Sequence, residues 1–180
     1  MVEATKDRIL MACNSLLREM PFERVTVSLI IKRSGVSKST FYRYFLDKYD
    51  VLNYNYKRNL DRWIVSRKCK NWRELYYCIF SSSIKDKRRE KNAYAVGGTN
   101  SYSQFLHDYS YQTIENMTVS CRGIPLTREE KLNLSLFCYG GIAVNEDWLK
   151  GELNYTVDEM TDLIFMAMPE SMRYLWKQPK

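Results

Sequence analysis

The sequence predicts an all-α fold, and three observations carry that prediction. Apolar residues recur at helical spacing in successive windows along the chain. Four of those windows open on a capping residue followed three positions later by Glu or Gln. No segment shows period-two alternation between hairpin turns, so strands are not expected. In order, Ile9, Cys13, Leu16, Leu17 and Met20 mark a first helix over 5–20, ended by Pro21 and Phe22. Short helices over 27–34 and from Lys38 follow. Asp47 caps a long helix over 48–68 whose buried stripe is Val51, Leu52, Tyr56, Leu60, Trp63 and Ile64. Asn71 with Glu74 opens a helix to about Lys85, and a short one is expected between Arg88 and Val96. Ser101 with Gln104 opens a helix to about Met117, and Thr127 with Glu130 opens another to about Trp148. Thr156 with Glu159 opens the last long one, which Pro169 closes. Gly97-Gly98, Gly123 to Pro125, and Gly151 separate these elements.

The segment from Thr26 to Lys48 is the most specific. Gly35 follows the apolar residues of the 27–34 helix, where a left-handed cap favours a residue without Cβ. Val36 is positioned to pack between the two helices, and Ser37 is a good N-cap for the second. Phe41 and Phe45 are four apart and share one face, suited to pack on Val27, Ile30 and Ile31. The opposite face carries Lys38, Ser39, Thr40, Tyr42, Arg43 and Tyr44. Two helices joined by a short Gly-bearing turn form a helix-turn-helix, whose second helix enters the DNA major groove. Lys and Arg pair with guanine edges, Ser and Thr serve either base type, and tyrosine hydroxyls and helix N-termini suit phosphates. Between Arg24 and Lys48 six basic residues face one acid, the footprint of a nucleic-acid surface.

These residues resemble the DNA-binding domain of TetR-family regulators. The matching elements are Thr26, Ser34-Gly35-Val36-Ser37, Phe41-Tyr42-Arg43-Tyr44-Phe45 and Lys48, within a likeness over about residues 5–60. The resemblance implies that Thr26, Tyr42, Tyr44 and Lys48 contact phosphates, and that Lys38, Ser39, Thr40 and Arg43 lie near base edges; Ser37, at the cap of the second helix, is the ninth residue expected at the DNA. It implies an N-terminal three-helix DNA-binding head over 1–47 and a C-terminal helical bundle over 48–180 for effector binding and dimerisation. The later half is similar to a TetR subgroup that includes dihydroxyacetone kinase operon regulators. That similarity rests on Asn71-Trp72-Arg73-Glu74-Leu75, Tyr139-Gly140-Gly141, Trp148-Leu149-Lys150-Gly151 and the helix ending at Pro169.

Composition bounds the alternatives. The chain has 180 residues and a net charge of +7, with the basic excess confined to its first half. The run from Lys85 to Lys91 reads as a solvated loop or helix end and is not assigned to DNA. Five cysteines form no CxxC, so neither a zinc site nor a disulfide framework is expected, and buried thiols in a reducing cytoplasm fit better. No signal segment or membrane span is evident, and no metal or cofactor is called for. His107, the only histidine, is expected at the surface beside Asp108; no catalytic triad, phosphate loop or HExxH occurs, so enzyme activity is not expected.

The last two long helices carry Leu136, Tyr139, Gly140, Ala143 and Val144, then Met160, Leu163, Ile164 and Ala167, the expected interface of a homodimer. A small-molecule site, if the body holds one, is expected among Trp63, Tyr76, Phe80, Phe105 and Tyr109; the effector is a small molecule or a partner protein. The partners that follow are double-stranded DNA and a second copy of the chain. The competing reading is a helical ligand-binding or adaptor protein with a non-functional head.

Overall fold

A computed structural model of the chain describes residues 2–66, 69–94 and 102–177. Among these residues the regular elements are all helical: α1 (Val2–Glu19), a 3-10 turn (Phe22–Arg24), α2 (Val27–Ser34), α3 (Lys38–Tyr44), α4 (Lys48–Val65), α5 (Trp72–Lys85), α6 (Lys87–Tyr94), α7 (Tyr102–Arg122), α8 (Arg128–Lys150), α9 (Val157–Ala167) and α10 (Glu170–Arg173). The Ser101 cap, the Gly97-Gly98 break and the expected helix ends at Lys68 and Val96 lie outside the described residues.

The capping reading holds locally. Thr127 and Thr156 each accept from the backbone N–H three residues on, while Glu130 and Glu159 reach back to the N-cap N–H. Asn71 accepts from Glu74 N at 2.9 Å, and Asp47 from Asp50 N at 2.8 Å. One end differs from expectation. Helix α7 runs past Met117 to Arg122, and the chain turns only at Gly123, whose φ is 75°. Helix α9 ends at Ala167 with Met168 at its C-cap, directly before Pro169, which then sits at the N-cap of the one-turn α10, where its missing N–H costs nothing.

The chain forms two compact units, Met1–Arg58 with Asp86–Gln104, and Asn59–Lys85 with Phe105–Lys180. The first therefore extends beyond residue 47 and is discontinuous. Its core is Ile9, Leu10, Cys13, Leu16, Leu17, Phe22, Ile30, Phe41, Phe45, Val51 and Leu52, all nearly inaccessible. The run from Lys85 to Lys91 is not the solvated stretch its charge suggested. Arg89 and Glu90 are buried as α6 packs on α1, and they pair with each other. Asp86 accepts from Arg18 Nε at 3.0 Å, and Asn92 Nδ2 donates to Leu17 O at 2.7 Å, which ties α6 to the end of α1. Burial pushes the Glu90 carboxyl above its ordinary range, against the pull of Arg89.

In the second unit α5 packs along α9. Trp72 Nε1 donates to Leu175 O at 2.7 Å, and the Trp72 and Trp176 rings meet edge-on, so the chain after α10 folds back on the start of α5. Met160 and Ile164, expected at a dimer interface, are buried inside this unit with Thr161. The apolar stripe of α9 is wide enough to serve its own core as well as an outer face, and these two residues face the core. His107 is likewise not at the surface: it is 8% exposed and stacks on Tyr139 with ring centroids 3.7 Å apart. Its Nδ1 lies 2.8 Å from Asp108 Oδ1 and its Nε2 3.4 Å from Ser135 Oγ, the polar contacts that burial of an imidazole requires.

Candidate nucleic-acid interface

The interface is built from short-range signals. The Thr26 hydroxyl accepts from Leu29 N at 3.2 Å and starts α2. Gly35 ends it in the left-handed region, φ 65°, and donates its N–H to Ile31 O at 3.0 Å. Arg8 on α1 completes this cap, donating to Ser34 O at 2.7 Å and Gly35 O at 3.1 Å. Sequence reasoning missed Arg8, because no local pattern reports a contact 26 residues away. Ser37 then opens α3, accepting from Thr40 N at 3.1 Å. Its hydroxyl also lies 2.8 Å from Thr40 Oγ1 and 3.0 Å from Ser39 Oγ, so three hydroxyls are linked at the N-terminal end of α3.

Phe41 and Phe45 anchor α3 inward, 0% and 2% exposed, with Tyr54 of α4 edge-on to Phe45. Ile30 is buried as expected, while Val27, Ile31 and Val36 are half-buried. Outward, Lys38, Ser39, Tyr42 and Arg43 are exposed, and Thr40 and Tyr44 are half-buried. Thr26 and Ser37 lie exposed at the two caps. The structure thus brings eight of the nine expected DNA contacts onto the outer side of α2, the turn and α3.

Lys48 is placed differently. Its ammonium donates to Phe22 O at 2.8 Å, Val25 O at 2.9 Å and Glu23 O at 3.3 Å, which occupies all three protons inside the protein. It also lies 4.5 Å from the Phe22 ring centroid. Desolvation lowers its pKa from the ordinary lysine range, partly offset by Glu23. In this arrangement Lys48 ties the turn after α1 to the start of α4. Arg33 is engaged as well, donating to both carboxylate oxygens of Glu19 at 2.6 and 2.9 Å. Arg24, Lys32, Lys38 and Arg43 form no ion pair among the described residues. They carry the outward positive charge of this segment.

In the second unit, Leu136, Tyr139, Gly140, Ala143, Leu163 and Ala167 are exposed and Val144 is half-buried. Leu132 and Met166 extend the apolar surface. A Cβ added at Gly140 or Gly141 would meet nothing within 4 Å, so no close helix approach within the chain accounts for them. An open groove of about 730 Å³ lies on the same two helices, lined by Asn133, Leu136 and Phe137 of α8 with Ala167, Pro169 and Ser171. None of the five expected ligand contacts lines it. Phe80 is buried against Trp148, and Tyr76 packs on Phe80 and Phe137. Phe105 stacks on Tyr109, whose hydroxyl donates to Asp61 Oδ1 at 2.6 Å; these two rings and Trp63 are half-buried.

A Gly-turned helix pair presenting a polar, basic second helix, joined to a larger helical unit, defines a DNA-binding transcriptional regulator. Residues 9–54 match the family described as bacterial regulatory proteins, tetR family. Residues 70–170 match a family described as transcriptional regulator C-terminal region. The chain belongs to the TetR family. Among solved structures it is similar to the dihydroxyacetone kinase operon activator DhaS, at 12% identity over 96% of this chain and 98% of that chain, with a TM-score of 0.59. At that identity the likeness speaks to the fold. No curated protein sequence matches. No described helix is long and apolar enough to cross a membrane, and no group of three or more His, Cys, Asp or Glu among the described residues could hold a metal ion.

Proposed function

We propose that this regulator binds a two-fold operator as a homodimer, each α3 lying in a major groove with half-sites about 34–36 Å apart or a multiple of that. The observation that carries the reading is α3 itself: Lys38, Ser39, Tyr42 and Arg43 stand exposed over a fully buried Phe41. Arg43 and Lys38 are the base-reading candidates, with Ser39 and Thr40 beside them; Thr26, Tyr42 and Tyr44 serve phosphates. Dimerisation through α8 and α9 is supported by exposed Leu136, Tyr139, Leu163 and Met166, an apolar surface that a lone soluble chain rarely carries. The unobstructed Gly140-Gly141 step suits close approach by a partner helix. Effector control belongs in this scheme to the second unit, where Trp63, Tyr76, Phe105 and Tyr109 are half-buried aromatic surface.

Selection from a random duplex pool at moderate salt, followed by sedimentation of the recovered complex, tests the reading. A two-fold site occupied by two chains is the expected result. Recovery of no two-fold sequence, or of a one-chain complex only, overturns it. Leu136→Glu should shift the chain toward monomer and weaken operator binding together; a dimer that persists unchanged removes the α8–α9 assignment.

A further inference from the structure

Two of the five cysteines stand apart from the rest. Cys69, just before α5, is fully buried, and its Sγ lies 3.6 Å from Sγ of Cys78 on the second turn of α5. Cys78 is half-buried and is the more accessible residue of the pair. The approach is held by the backbone. Cys69 N–H donates to Trp63 O at 3.4 Å, Lys70 N–H donates to Glu74 Oε2 at 2.7 Å, and Glu74 N–H donates to Asn71 Oδ1 at 2.9 Å. The residues after Cys69 are thereby clamped to the first turn of the helix that carries Cys78. A disulfide needs sulfurs about 2.05 Å apart, a closure of about 1.5 Å from the observed separation.

We propose that Cys69 and Cys78 are a dithiol modification site, closed to an intramolecular disulfide by hydrogen peroxide. Cys78 Sγ attacks the peroxide, the O–O bond breaks, and Cys78 sulfenic acid and one water form. The Cys69 thiol then displaces the hydroxyl, forming the S–S bond and a second water, so that each sulfur is oxidised as the peroxide is reduced. A thiol reductant reverses the step. The other thiols are unsuited to it. Burial pushes Cys13 and Cys138 up to about 12, which suppresses their thiolates. Cys121 is exposed but has no thiol partner beside it among the described residues.

The test uses the full-length chain carrying Cys121→Ser, which removes oxidation through the exposed thiol. After hydrogen peroxide and alkylation, trypsin separates the pair, since Lys70 and Arg73 lie between them. The expected product is a peptide joining Cys69 to Cys78, absent after dithiothreitol. Adding Cys69→Ser should leave a Cys78 sulfenic acid that dimedone captures, and adding Cys78→Ser should slow Cys69 to the rate of Cys13. A folded chain in which both thiols oxidise to sulfinic acids without the linked peptide overturns the proposal. So does a Cys78→Ser chain in which Cys69 reacts at the unaltered rate.

Discussion

Replacing Lys48 with alanine separates two roles that the helix-turn-helix motif alone does not distinguish. A phosphate contact would lower affinity for all DNA alike and make the salt dependence shallower by about 0.9 in log–log slope. The geometry instead assigns Lys48 three bonds to the carbonyls of Phe22, Glu23 and Val25. A hydrogen bond involving a charged group contributes about 1.5–3 kcal/mol. The bond to Glu23 O is the longest and is exposed, so water can replace it, leaving two effective bonds. The ammonium over the Phe22 ring adds about 0.5–1 kcal/mol. Desolvation, which lowers the Lys48 pKa, offsets part of the sum. The net loss expected for Lys48→Ala is therefore about 2–3 kcal/mol, or about 4–12 °C in the thermal midpoint of a chain this size. Thermal unfolding followed by circular dichroism measures the first quantity, and operator titration over a salt series measures the second. An unaltered midpoint together with a slope shallower by about one would refute the strut and restore the phosphate contact.

Three further outcomes follow from the same structure. Arg43→Ala should relax base preference at one position per half-site by about 1–3 kcal/mol, read by competition among single-base operator variants; unchanged preference would remove Arg43 from the base-reading set. Gly35→Ala should cost about 1–2 kcal/mol in chemical denaturation, because φ is 65° and the new Cβ would lie 3.1 Å from Arg8 Nη2. A neutral result there would mean the α2 cap relaxes without loss. The third concerns pH. The Arg122 guanidinium, and then the Thr127 N–H, hold the Glu130 carboxyl down at about 2, from an ordinary 4.5. A carboxyl depressed on folding contributes stability that is complete above about 4.5 and lost as pH falls toward about 2. Glu130→Gln should flatten that part of the acid unfolding curve, and an identical curve would show that the bonds do not form in solution.

What could be read directly from residues was local. Thr26, Gly35, Ser37, Thr127 and Thr156 each act on backbone groups within four positions, so residue type and spacing specify them. The Asp47–Asp50 pair has the same character, and its spacing was a usable signal for the second bond, Leu46 N–H to Asp50 Oδ2 at 3.0 Å. Long-range partners were not legible. Lys48 has the composition of a surface base, and only the return of the 22–25 turn shows its donors occupied. Arg89 and Glu90 carry charges that suggest solvent, yet α6 lies on α1 and they satisfy each other there. Met160 and Ile164 belong to an apolar stripe visible in the sequence, but a stripe does not say which of two surfaces it meets.

The discontinuity of the first unit bears on how this protein is made. Helix α6 follows α5 in the chain yet covers α1, so the DNA-binding unit is unfinished when residues 1–58 have left the ribosome. At roughly 5–20 residues per second, emergence of the chain through residue 94 takes about two to seven seconds more. During that interval the part of α1 later covered by α6 has no cover, and the last turn of α1 lacks the Asp86 and Asn92 bonds at Arg18 and Leu17. A head cut out at the end of the family match, residue 54, carries the same uncovered surface permanently. Maturation of the helix-turn-helix unit is thus tied to translation of a segment well downstream of the residues proposed to read DNA.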